Sequence, residues 1–335
     1  MKRTRFGIMV AMILVLVLVL SGCTQEPIGS GKDETSGTTA KQDASTDDSG
    51  SGSANATGDL VIGMSFQDMD NPYFVTMHEA FEEACASIGA TAITTDASHD
   101  VNKQISDIED MIQKGIDILL INPTDSVGVE AAVIQAKDAG VIVVAIDAQA
   151  NGPIDSFAGS KNYDAGYLAG EQMAEDLGGE GKVAILNGIP VVPILERVEG
   201  FKAAVANYPG IEIVDNQNGQ QERDKAMTVT ENMMQAHPDL SAIFSVNDGG
   251  ALGTLAAIES AQKDIGLYSV DGHPEAVDAI LNGDIFKCTV AQFPRDQVRI
   301  GLGIALAKYW GSIVPEVMPI EVKKLTKENA EGFTW

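Results

Sequence analysis

Two doubly wound α/β lobes are predicted for residues 59–335 by three features of the chain. Short apolar runs alternate with amphipathic stretches, several runs are apolar at every position, and a glycine follows many of the amphipathic stretches. A strand apolar throughout is buried on both faces, as in a parallel sheet covered by helices. Strict β-α alternation then implies parallel, doubly wound sheets.

The strand-like runs are 60–64, 91–94, 116–121, 141–146 and the short 155–158, followed by 183–186, 211–214, 242–246, 265–270 and 288–291. Between them, helical periodicity covers 73–88, 101–114, 127–139, 163–177, 195–207, 224–236, 250–260 and 275–281. Gly89, Gly115, Gly140, Gly178 and Gly283 sit where a helix C-cap belongs. So many strands fit two smaller sheets better than one open sheet, and the natural break lies near 159–162. A last long helix, 297–310, precedes a strand-like 320–325, which supplies chain to cross back between lobes.

The N-terminal residues read differently. Lys2, Arg3 and Arg5 precede an uninterrupted apolar run, 8–20, and then Leu20-Ser21-Gly22-Cys23. That order is a signal peptide over residues 1–22, with an apolar run too short for a membrane span. Its ending resembles the bacterial lipobox, in which the cysteine receives lipid and becomes the new N-terminus. Two or three acyl chains, at about 0.8 kcal/mol per buried CH₂, anchor firmly. Residues 23–58 then form a lipidated Cys23 and a polar tether rich in Ser, Thr, Gly and Asp, too poor in apolar residues to order itself. An extracytoplasmic, lipid-anchored location on the bacterial cell membrane follows.

A formal net charge of −26 argues against nucleic acid, whose phosphates attract Lys and Arg. It argues equally against direct binding to an anionic membrane surface. Cys85 and Cys288 lie in apolar patterns and are read as buried free thiols, with a disulfide as the alternative. His78, His99, His237 and His273 lack paired spacing, so no metal site is expected, and no cofactor motif stands out. The Gly178-Gly179-Glu180-Gly181-Lys182 stretch lacks phosphate-loop spacing and reads as a helix-to-strand turn.

In open α/β sheets, ligands bind outside the carboxyl ends of the strands. Those ends here carry Asn71 with Tyr73 and Phe74, then Asn122, Asp147, Asn247, Asp271 and Gln292. Each Asn or Asp alone is equally a helix cap or turn former. Six ends with the same chemistry point instead to a shared site. Carboxylates and amides accept from and donate to vicinal hydroxyls, and aromatic faces cover the C–H faces of a sugar or polyol.

Several motifs occur in order: Asp70-Asn71-Pro72-Tyr73-Phe74, Ile121-Asn122-Pro123-Thr124-Asp125, Glu196-Arg197-Val198-Glu199-Gly200-Phe201, Ala236-His237-Pro238-Asp239, Asn247-Asp248 and Val270-Asp271-Gly272. As a set they resemble the periplasmic ribose-binding protein and its sugar-binding relatives, the type I substrate-binding components of ABC importers. The resemblance spans essentially the whole folded part. It implies two Rossmann-like lobes joined by a three-stranded hinge: 59–160 with 293–320, and 161–292 with 321–335. Tyr73 and Phe74 would pack on the sugar faces. Asn71, Asn122, Asp147, Arg197, Asn247, Asp271 and Gln292 would bond its hydroxyls. Two positions depart from the ribose pattern: Ala148 stands where an arginine is expected and Gln221 where an aromatic is expected. These are the candidate specificity positions, open to a bulkier sugar, an alditol or a cyclitol, with Gln149 and Gln220 as possible compensating neighbours.

The resemblance implies a non-enzymatic monomer that closes on a sugar or polyol and delivers it to an ABC permease with its ATPase subunit. A ligand-presenting subunit for a sensor kinase or chemoreceptor uses the same fold. A glycosidase with Asp147 and Asp271 as its carboxylate pair is the enzyme alternative. A DNA-binding regulator needs a basic reading head where this chain has a leader and an acidic tether.

Overall fold

A computed structural model describes residues 60–335; the predicted leader, Cys23 and the tether lie outside the described residues. The chain first lays down β1 (Val61–Phe66), α1 (Pro72–Ile88), β2 (Thr91–Asp96), α2 (Val101–Gln113), β3 (Ile118–Ile121), α3 (Glu130–Asp138), β4 (Ile142–Ile146) and β5 (Ser156–Ser160). It then builds α4 (Asn162–Asp176), β6 (Glu180–Asn187), α5 (Val192–Val205), β7 (Gly210–Asn218), α6 (Arg223–Ala236) and β8 (Leu240–Ser245). After these come α7 (Asp248–Ser260), β9 (Gly266–Asp271), α8 (Pro274–Asn282), β10 (Phe286–Ala291), α9 (Pro294–Tyr309), β11 (Val317–Ile320) and β12 (Lys323–Thr326).

The strands form two six-stranded sheets, ordered β11-β5-β4-β3-β1-β2 and β12-β10-β9-β8-β6-β7. Five strands of each sheet follow the same doubly wound path, and β12, antiparallel to β10, is the exception to parallel pairing. Period-2 alternation explains why the runs read as continuously apolar. In β1 and β3, Ile62, Met64, Phe66, Ile118 and Leu120 join the core under α1 and α9, while Leu119 and Ile121 join the core under α2 and α3. In β6, Val183 and Ile185 face one side and Ala184 and Leu186 the other. Cys85 and Cys288 sit in separate cores as buried free thiols. Burial pushes Cys85 up to about 12, so it is an inert packing residue.

The chain passes between the sheets three times: from β5 through Lys161 into α4, from β10 into α9, and from β11 into β12. The predicted strand 320–325 is therefore two strands on different sheets. Ile320 fills the first core and Leu325 a cluster of the second lobe, so one alternating pattern serves two partners. The crossings are tied together: Lys161 N–H donates to Ile320 O at 2.9 Å and Lys161 Nζ pairs with Glu321. Gln297 Nε2 on α9 donates to Ser160 Oγ at 2.7 Å. Four of the five predicted cap glycines take positive φ, but Gly283 is extended at φ −116° and ends α8 without a left-handed turn.

Helices α4 and α5 approach unusually closely. A Cβ on Gly166 would lie 1.9 Å from Arg197 O, and one on Gly200 would lie 2.0 Å from Tyr163 O. Bare backbone on both sides is what allows α5 to lie low enough for Arg197 to reach the sheet ends. Gly166→Ala and Gly200→Ala should each lose about 1–3 kcal/mol through overpacking. Thermal unfolding should record a drop of about 2–4 °C per kcal/mol. Gly303→Ala, exposed on α9 with nothing within 4 Å of the added carbon, should match or exceed the parent.

Candidate functional site

The carboxyl ends of the two sheets face one cavity of ≈ 70 Å³. The first sheet's side presents Asn71, Tyr73, Phe74, Asp147 and Ala148; the second presents Arg197, Gln221, Asn247, Asp271 and Gln292. Asn122 stands just behind, fully buried. The structure thus brings together, in or beside this cavity, the residues singled out by strand-end position and by motif. Of the two possible compensating neighbours, Gln149 is exposed, and Gln220 is exposed with its side chain turned to Lys225; neither lines the cavity. A larger hollow of ≈ 710 Å³ lies elsewhere on the second lobe, lined by Asp176, Asp239, Asp264 and Asp284 among others.

On the first lobe, Asn71 caps α1, its Oδ1 accepting from Tyr73 N at 3.0 Å, so its amide nitrogen remains for other work. Asp68 in turn accepts from the N–H groups of Asp70 and Asn71 and shapes the loop. Tyr73 and Phe74 are buried and meet edge to face, ring centroids 5.7 Å apart. Asn122 Oδ1 accepts from Gln67 N at 3.3 Å, and its Nδ2 donates to Asp147 Oδ2 at 3.3 Å. Asp147 takes a left-handed φ of 67°, uncommon for a non-glycine residue and a mark of a site held by its surroundings. Burial, opposed by the Arg197 guanidinium and reinforced by the Asp271 carboxylate, raises Asp147 to about 6.

On the second lobe, Arg197 is 5% exposed, not a surface helix arginine. Its Nε donates to Asn162 Oδ1 at 2.9 Å, and Nη1 donates to Val246 O at 2.8 Å and Asp271 Oδ1 at 3.2 Å. Gln292 Nε2 also donates to Asp271 Oδ1, at 2.8 Å, and Asp248 N–H donates to Oδ2 at 3.2 Å. Burial still pushes the Asp271 carboxyl upward, and Arg197 opposes it. Asp271 has φ 138°, a backbone position that strongly favours glycine. Asn247 caps α7 through Gly250 N, and its amide donates to Gln221 O, so it serves the local fold as well as the cavity. Gln221 Oε1 accepts from Ile189 N and closes the rim, in the space left by the missing side chain of Gly188.

Sequence reasoning gave no role to three supports. Gln104 is fully buried on α2, its Nε2 donating to Ser65 Oγ and Asn122 O and its Oε1 accepting from Thr124 N. Its signal was available: it falls in helical step with buried Ile108 and Met111, a polar residue in an apolar stripe. Asp248, also fully buried, accepts from Ser269 Oγ, from Thr289 Oγ1 and from His273 N at 2.7 Å. It thereby fixes the Asp271-Gly272-His273 turn. Trp335 donates its ring N–H to Asp271 O at 2.9 Å, and no periodic pattern marks it.

Two buried polar atoms of residues lining the cavity, Tyr73 Oη and Gln292 Oε1, have no hydrogen-bond partner among the described residues. Leaving such an atom unsatisfied costs about 1–3 kcal/mol, so the arrangement is suited to a molecule bringing hydroxyls. The carboxylates carry a stability cost too. Asp147 binds its proton more tightly folded than unfolded. Its favourable contribution is complete below the ordinary value of 3.8 and is lost as pH rises to about 6. Asp147→Asn should therefore flatten the fall in stability between those pH values and stabilise the protein at pH 7 by about 1–3 kcal/mol. Denaturant unfolding across that range measures both.

Residues 62–309 match the periplasmic binding protein domain family. The ribose import binding protein RbsB of Bacillus subtilis is 37% identical over 288 residues, 85% of this chain and 88% of the relative. A solute-binding protein of an ABC transporter from Mycobacterium smegmatis, solved with bound glycerol, superposes with a TM-score of 0.78 at 33% identity, covering 82% of this chain and 96% of that one. A Bacillus halodurans counterpart, solved with bound myo-inositol, reaches 0.77 at 28% identity, with coverage of 83% and 98%. Matching strand winding, the facing cleft and these relatives agree: the chain belongs to the periplasmic binding protein family, in its ribose-binding-protein-like branch of ABC-importer substrate-binding proteins.

Proposed function

We propose that this protein captures a monosaccharide or related polyol between its lobes and delivers it to an ABC permease and its ATPase subunit. It belongs to a family of substrate-binding proteins and is not an enzyme. One observation carries the reading. Asn122 with Asp147 on the first lobe and Arg197, Asp271 and Gln292 on the second converge on one small cavity walled by Tyr73 and Phe74. Donors and acceptors from two bodies with an aromatic wall suit a hydroxyl-rich, uncharged solute, and a cavity of ≈ 70 Å³ favours a small one.

Residues 59–160 with 293–320 move as one lobe and 161–292 with 321–335 as the other. The solute touches both and so favours the closed form. Cys23 lipid holds this monomer outside the cell membrane, and the tether over residues 24–58 lets it reach its permease. Ala148 and Gln221 set the choice of solute. Ala148 brings a methyl group where an arginine fork stands in the ribose pattern, and among the described residues lining the cavity none restores that charge. The pocket keeps Arg197 as its one guanidinium, which fits a neutral polyol or sugar over an acidic one.

A thermal-shift screen of the tether-free domain against pentoses, hexoses, alditols and cyclitols should find a stabilising solute in this class, by linkage. Stabilisation by none of them would remove the reading. Asp271→Ala and Arg197→Ala should each weaken that solute by about ten- to hundredfold, a charged hydrogen bond being worth about 1.5–3 kcal/mol. Calorimetry measures the affinity. Both variants also leave a buried partner unpaired, so each should melt earlier without solute.

A further inference from the structure

The residues that follow β12 form a strap that brings Trp335 against Asp271 and Tyr73 behind the cavity. Asn329 turns the chain, its Oδ1 accepting from Thr326 N at 2.8 Å, and Ala330 is buried with Val277, Ala291 and Leu325. Phe333 then lies over the crossing between β10 and α9: its ring meets Phe293 at 6.1 Å and stands 3.1 Å from where a Cβ on Gly272 would be. Pinned on the second lobe in this way, the strap carries Trp335 across to the first. The indole packs against the first lobe's core, edge to face with Tyr73 at 5.5 Å. It also meets His273 edge to face at 5.3 Å and donates its ring N–H to Asp271 O at 2.9 Å.

We infer that Trp335 is a positioning residue for the solute site, acting as a latch between the lobes. It does not line the cavity; it acts through two residues that do. Tyr73 belongs to α1, beside the first sheet, and Asp271 ends β9 of the second, so both contacts exist together only when the lobes are together. Asp271 O also accepts from Gln292 N, so the indole N–H is the second of two bonds that hold a backbone in the left-handed half of φ space. Its rotation sets where the Asp271 carboxylate points. The latch and a bound solute favour the same closed form, so each strengthens the other.

The inference deepens the solute-binding reading, and its test separates the two. The first arm uses the full chain with no solute, followed by hydrogen exchange with mass spectrometry. Trp335→Ala should speed exchange in the 72–77 and 271–274 segments, one in each lobe. Faster exchange confined to 327–335 would overturn the latch. The second arm titrates D-ribose, D-allose, myo-inositol and xylitol by calorimetry. For whichever binds, Trp335→Ala should raise Kd about tenfold. Trp335→Phe, which keeps the ring contacts and loses the N–H, should fall between the two. Unchanged Kd in Trp335→Ala sinks the latch. Trp310→Phe leaves Trp335 as the single tryptophan, and its emission should shift with solute; a bound solute that leaves it unmoved also counts against the latch. If none of the four binds, the wider thermal-shift screen decides the solute class and the exchange arm alone decides the latch.

Discussion

The second lobe depends on keeping a guanidinium and a carboxylate out of water. Arg197 and Asp271 face each other at 3.2 Å, with side chains 5% and 14% exposed. Such a pair recovers its desolvation cost only when the remaining donors and lone pairs are also satisfied. Here Asn162 and Val246 O take the other bonds of Arg197, and Gln292 and Asp248 N–H complete Asp271. The approach of α4 to α5 through Gly166 and Gly200 puts Asn162 and Arg197 within reach of each other. The turn at Gly272 is held by Thr289, which also bonds Asp248. Elements α4, α5, α7, β9 and β10 are thus committed to one ion pair.

That commitment makes functional sense in a two-lobe protein. On the proposed reading, a charged pair set into one lobe would offer the same donors and acceptors with the cleft open or shut, and closure would bring a second set to meet it. The first lobe repeats the solution with different parts: Asn122 aims Asp147, and Gln104 aims Asn122. Both site aspartates adopt positive φ, and both carboxyls are raised by burial. Backbone strain and desolvation are concentrated at the cavity between the sheet ends, while the sheets behind are packed with aliphatic side chains on both faces.

Much of this was legible in the chain. Continuous apolar runs announced parallel sheets because strands buried on both faces cannot alternate in polarity. Amides and carboxylates at six strand ends pointed to the cavity, because open α/β sheets gather the residues beyond their carboxyl ends in one crevice. What failed was local pattern with two explanations. Residues 320–325 read as one strand, since Ile320 and Leu325 carry the same apolar signal although they fill different lobes. Gly283 does cap α8, as its position suggested, but in extended rather than left-handed backbone. Asn71 and Asn247 prove to be both caps and cavity residues, so the competing readings were not exclusive.

The sequence by itself determined the lobes, the strand ends that meet and the polarity of the site, because periodicity and turn chemistry are written within a few residues. Tertiary structure alone decided the rest. It paired Arg197 with Asp271, 74 residues away along the chain, and left Gln149 and Gln220 exposed. It also carried Trp335 across 64 residues to the carbonyl of Asp271 and against Tyr73 in the other lobe. Contacts at such separation are fixed by how sheets stack and where crossings return, and no local pattern records them.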